Sequence, residues 1–185
     1  MQRALSNELM AWKNQPLRKP VLVDGARQTG KTFLLEALFG KTFNNVLRID
    51  FLETPAYKKA FDGSLSPDDV LWNIELLTNQ TFDPKTDLLI LDEIGECERA
   101  VTALKYFAEK APTYFVAASG SNIGLLDAFP VGKVDQYNLR PLTFREFIDA
   151  SNEPALIKAF DTQANSAVAH SSSRNKQEGE DDDSE

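Results

Sequence analysis

Residues 25–32 read Gly-Ala-Arg-Gln-Thr-Gly-Lys-Thr. These residue types at this spacing suit one chemistry, the gripping of a chain of phosphates. The pattern is G-x-x-x-x-G-K-[ST], and a chance match in a chain of this length is on the order of 1%. Gly25 and Gly30 reach backbone conformations that other residues resist and let main-chain amides come close to a ligand. Successive N–H groups then form a concave anion site, and a helix beginning near Gly30 adds its positive end. The candidate cradle runs through Gly25, Ala26, Arg27, Gln28, Thr29, Gly30, Lys31, Thr32 and Phe33. Lys31 has the reach for β- and γ-phosphates, and Thr32 has a hydroxyl that can ligate Mg2+. The plainer alternative is a glycine-rich turn with no ligand.

A second set of groups follows at Asp92-Glu93, at the end of the apolar run "LLILD". A carboxylate there can hold Mg2+ from its outer shell or through water, since Mg2+ keeps several waters. The adjacent acid can orient or deprotonate an attacking water. The alternative is a polar pair that closes a strand or caps a helix. A third set is Ser119, Ser121 and Asn122 in "SGSN", polar groups that could touch a γ-phosphate or the attacking water. Turn chemistry explains the same residues equally well. The candidate catalytic residues are therefore Glu93, Lys31, Ser119 and Asn122, with Thr32 and Asp92 as the metal side.

These groups need a frame. "VLVD" (21–24), "VLRIDF" (46–51), "DLLILD" (87–92), "TYFVAAS" (113–119) and "VDQYNL" (134–139) read as five strands, the third strongly apolar and the fifth weaker. Between them lie helical stretches. Leu5, Leu9 and Trp12 share a face at i, i+4 and i+7. "KTFLLEALF" is apolar on nearly all sides and reads as a buried helix. Residues 53–61 and 66–79 read as helices, the second with Ser66 as cap, Pro67 first and two acids in the first turn. "ECERAVTALKYFAEKA" is amphipathic, with Val101, Leu104 and Ala108 on its stripe. Two short helices are expected after Pro141. Apolar strands alternating with helices mean an α/β fold: a parallel five-stranded sheet with helices on both faces and its ligand at the carboxyl ends of the strands.

Composition narrows the setting. The 185 residues, 42% of them hydrophobic, are enough for one domain with a sizeable core. The net charge is −8, and half of it sits in residues 171–185, where two basic residues face six acidic ones. An acidic body gives no electrostatic reason to expect non-specific nucleic-acid binding. The single cysteine, Cys97, cannot form an internal disulfide and reads as a small packing residue in a reducing compartment. The lone His170 has no companions for metal binding or catalysis. No run approaches the ~18 apolar residues of a membrane span. With no signal-like leader either, a cytoplasmic setting is expected.

"GARQTGKT", "LLILDEI", "ASGSN" and "FPVGKVDQYNLRPLTFREFIDA", in that order, resemble the prokaryotic AAA+ ATPases of the AAA_14 type. The arginine inside the first motif and "PLTFREF" are the more specific marks, and the resemblance covers roughly residues 3–150. It implies a P-loop NTPase fold of the additional-strand type, ATP with Mg2+, Lys31 and Thr32 on phosphate and metal, Asp92 on the metal, Glu93 as the water-activating acid, and a polar sensor within Ser119–Asn122. It also implies hydrolysis at subunit interfaces of a homo-oligomer, with an arginine from the neighbour that can be worth ~10³–10⁵ in rate. Here the sequence departs: Gly132-Lys133 stands where many members have Gly-Arg, and lysine offers a point charge in place of a planar fork. Arg140 and Arg145 are the other candidates, and each could equally be a surface or structural residue.

Family members usually continue into a second domain, the domain of unknown function 4143; the expectation here is that this domain is missing and the helical lid incomplete. The expected organisation is an N-terminal helix and linker (1–18), the ATPase core (19–150), a residual helix (151–164) and a disordered acidic tail (165–185), the whole being the core of a longer protein or a truncated product. Three functions follow: an ATPase core that needs oligomerisation or a missing domain, a nucleotide-binding module with little turnover, or a small-molecule kinase. The last ranks lowest because "GSNIGLLDAFPVGKV" lacks the arginine of a kinase lid.

Overall fold

The computed structural model describes residues 5–121, 123 and 129–141 and, singly, 146, 153 and 158. Two compact units divide the chain: Arg3–Pro141, and Leu142–Glu185 together with Met1–Gln2. Of the second, only Glu146, Glu153 and Lys158 are described. The two short helices expected after Pro141 and the acidic tail therefore lie outside the described residues.

The larger unit is built on five parallel strands, β1 (Val21–Asp24), β2 (Val46–Asp50), β3 (Leu88–Asp92), β4 (Phe115–Gly120) and β5 (Asp135–Asn138). Their order across the sheet is β2-β3-β4-β1-β5. Burial follows position. β3 is an interior strand and buried at every residue, as a strand covered on both faces must be. The edge strands β2 and β5 alternate. β4 lies between β1 and β3, pairing Val23 with Ser119 on one side and Leu91 with Ala118 on the other. β2 and β3 end in register, Asp50 opposite Asp92.

Period-two side-chain alternation divides the core between the two faces of the sheet. On one face, Val21, Val23, Leu88, Ile90 and Ala117 pack with Leu5, Leu9 and Trp12 of helix α1 (Leu5–Lys13) and with Leu34, Leu35 and Phe39. On the other, Leu22, Leu47, Ile49, Leu89, Leu91, Val116 and Ala118 pack with α2 (Pro67–Thr78) and α3 (Glu98–Lys110). The α/β fold with helices on both faces is as expected. Ser66 caps α2, accepting from the Asp69 N–H, and Asn79 ends it in the left-handed conformation. Trp12 pins α1 down. Its ring meets Phe39 and Phe115 edge-on at 6.0 and 6.2 Å, and its Nε1–H donates to the Lys19 carbonyl at 2.8 Å.

Two expected helices differ in winding. Residues 53–61 form a 3-10 turn, Pro55–Phe61, not an α-helix. At its end Arg99 donates to the carbonyls of Phe61 and Gly63. The segment after the glycine-rich loop begins with an α-type bond from the Leu34 N–H to the Gly30 carbonyl and widens into a π-helical stretch, Phe33–Phe39, closed by a bond from the Gly40 N–H to Leu35. It is not buried all round: Leu34, Leu35 and Phe39 face the sheet, whereas Phe33 is 48% exposed and Glu36 is exposed. One face of a helix is all that a sheet can cover.

Candidate functional site

The carboxyl ends of four strands carry polar residues: Asp24, Asp50, Asp92 and Asn138. The glycine-rich loop leaves β1 at this edge. Gly25 is required by close approach, because a Cβ there would run into the carbonyl of Leu139 just beyond β5. Gly30 is required by conformation: its φ is +87°, and a Cβ would meet nothing within 4 Å. Gln28 is also left-handed, at φ +64°. Left-handed residues on either side of Thr29 curl the main chain into a concave run of amides, the geometry of an anion nest. The Thr29 hydroxyl holds the curl by donating to the Ala26 carbonyl at 2.9 Å. Ala26, Arg27 and Gln28 are exposed on its outer side.

Lys31 closes the loop from within. Its side chain is buried, and its ammonium donates to the carbonyls of Gly25 (2.9 Å) and Ala26 (3.0 Å) and to Ser121 Oγ (3.2 Å). All three donors of the group are thus used. The bond to Ser121 ties the loop after β1 to the end of β4.

Asp92 is the centre of the other half. It is 1% exposed. Its Oδ2 accepts from Thr32 Oγ1 at 2.9 Å and from Arg48 Nε at 3.0 Å, and its Oδ1 accepts from Ser119 Oγ. Three of its roughly four lone-pair positions are filled. The strand order makes this possible: with β4 between β1 and β3, Ser119 stands beside Asp92, and Thr32 approaches from the loop. Glu93 follows in the left-handed conformation (φ 49°, ψ 47°), half-buried, where the chain turns sharply out of β3. Such a backbone at a non-glycine residue re-aims its side chain and is held by its surroundings.

The structure thus brings together Lys31, Thr32, Asp92, Ser119 and Ser121, with Glu93 adjoining. Ser119 is fully buried, and its hydroxyl is on Asp92. Asn122 and Arg145 lie outside the described residues. Lys133 is paired with Glu109 of the same chain at 2.9 Å, and Arg140 is exposed.

Arg48 is the residue that sequence reading missed. It sits on β2 and bonds Asp92 and Asp50, with Glu36 at 3.9 Å. Burial alone would lower its pKa. The hydrogen bond and charge of Asp92, then the charges of Asp50 and Glu36, outweigh burial and hold the guanidinium above its ordinary value. A signal was present in "VLRID": Arg48 and Asp50 are two apart in a strand and so share a face.

The donor set suits Mg2+. Thr32, by giving its hydroxyl hydrogen to Asp92, keeps its oxygen lone pairs for a cation. Both candidate ligands are hard oxygens, and their number is small, as for an ion that retains water and takes the rest of its shell from phosphates. Among the described residues no three His, Cys, Asp or Glu side chains are grouped to hold a metal by themselves.

A parallel five-stranded sheet of this order, with a glycine-rich loop after its first strand and an acidic pair after its third, is a P-loop NTPase-like α/β domain. The AAA_14 family model, described as an AAA domain, matches residues 17–148, and the chain belongs to that family. AAA domains are nucleotide-binding, ATPase-type modules that generally work with Mg2+. No curated protein matches the chain. No helix among the described residues is long and apolar enough to cross a membrane.

Proposed function

We propose that this domain binds ATP with Mg2+ at the carboxyl edge of the sheet and hydrolyses it, with turnover rising when copies assemble. The observation that carries the reading is the contact of Thr32 Oγ1 with Asp92 Oδ2 at 2.9 Å. It joins the phosphate loop to the acidic strand end and puts both candidate metal-side oxygens at one point. The amides of Gly25–Thr32 take the phosphate oxygens, and Lys31 exchanges its bonds to the loop carbonyls for β- and γ-oxygens. Thr32 and Asp92 would hold Mg2+. When bound, the ion supplies charge neutralisation for the leaving oxygens. Glu93 accepts a proton as a water oxygen bonds to the γ-phosphorus. The bond from that phosphorus to the β–γ bridging oxygen breaks, and ADP and phosphate leave.

A second reading is a module that binds nucleotide and turns it over little. The pairing of Lys133 with Glu109 favours it, since that side chain is engaged within its own chain.

Phosphate release by the full chain over a range of protein concentrations tests the proposal. Release should rise faster than linearly with concentration and vanish in Glu93→Gln, which should still bind ATP. No release at any concentration would favour the binding module, and phosphate recovered on an acceptor would favour a kinase.

A further inference from the structure

Arg48 is the only cation bonded to Asp92 among the described residues, and it reaches three carboxylates from three segments: Asp92 at the end of β3, Asp50 at the end of β2 and Glu36 in the π-helical stretch. Its Nε meets Asp92 on Oδ2, the same oxygen that accepts from Thr32. A guanidinium at that oxygen does two things. It fixes the carboxylate's orientation, with Oδ1 left to Ser119. It also places a full positive charge beside the position where a divalent cation would be held.

We propose that Arg48 is a positioning residue which serves as the resident counter-ion of Asp92 and sets how much Mg2+ the site requires. It keeps three acids that converge at the carboxyl edge from repelling one another while no divalent cation is bound. By the same charge it opposes the cation's arrival. The inference rests on the reading of Thr32 and Asp92 as the metal side of the site.

The test is thermal unfolding of the full chain, as wild type, Arg48→Met and Arg48→Lys, against Mg2+ alone at constant ionic strength. Without divalent cation, Arg48→Met should melt below wild type. Mg2+ should recover much of that loss, with a midpoint lower than that of wild type by on the order of tenfold. Asp92→Asn placed in the Arg48→Met background should abolish the recovery, which excludes the acidic tail as the place where Mg2+ acts. Arg48→Lys keeps the charge without the fork, so its midpoint should move in the same direction by less.

A residue that only packs would give an equal loss with and without Mg2+, and that result overturns the proposal. So does a recovery that survives Asp92→Asn. An Arg48→Met chain that folds only with Mg2+ supports it. If that chain folds under neither condition, Arg48→Gln, which also removes the charge, decides, and an unchanged midpoint there overturns the proposal. ATP-Mg2+ added to wild type separates the two readings. A wild type that ignores ATP-Mg2+ removes the nucleotide reading. A wild type that responds, with an unaltered Mg2+ midpoint in both Arg48 variants, removes only this inference.

Discussion

Glu93 is held in a left-handed backbone conformation that asparagine tolerates better than glutamate. Strain of this kind at a charged residue trades stability for the aim of a side chain. Glu93→Asn is therefore expected to melt at or slightly above the wild-type temperature while losing phosphate release. A variant that melts lower would mean that the glutamate side chain itself supports the fold. Cys97 illustrates the opposite case, a reactive type made inert. It is buried, and burial pushes its thiol above the ordinary value against the weaker pull of the Ala100 N–H. Labelling of the native chain by a thiol reagent at neutral pH should be slow and should become fast in urea. Rapid native labelling would contradict the packing.

At the scale of elements, the two loop glycines make separable predictions. Gly25→Ala meets the Leu139 carbonyl, whereas Gly30→Ala meets only conformational resistance. Gly30→Ala should cost about 1–3 kcal/mol. Gly25→Ala should cost more, because main chain must shift, and urea unfolding of both variants would rank them. Trp12→Ala should cost about 3–5 kcal/mol, since it opens the aromatic contacts with Phe39 and Phe115 that fasten α1 to the sheet. Strand and helix positions were legible because their causes are local: apolar runs for β1 and β3, a cap and proline for α2. The 3-10 winding of Pro55–Phe61 was not, because nothing in the residue types of that segment separates 3-10 from α winding. Nothing in the composition of residues 33–39 dictates π winding, although the burial of Leu34 and Phe39, five apart, agrees with it.

At the scale of the molecule, strand order turns separate motifs into one site. The phosphate loop and the acidic pair are readable as patterns because each is contiguous. That β4 lies between their strands is a matter of tertiary pairing. The residues of the strands carry no sign of that order, which depends on pairings between distant segments. Arg48 escaped for a related reason: Asp92 is 44 residues away, and an arginine alternating with apolar residues reads as solvent-facing.

The central claim is that this edge holds a nucleotide, and the unfolding temperature of the full chain with and without saturating ATP-Mg2+, beside Lys31→Ala, tests it most directly. A ligand confined to the folded state at ~100 times its Kd adds about 2.7 kcal/mol, a rise of several degrees in a domain of this size. The account predicts that rise in wild type and its loss in Lys31→Ala. A chain that melts cooperatively at the same temperature with and without ATP-Mg2+ would contradict it.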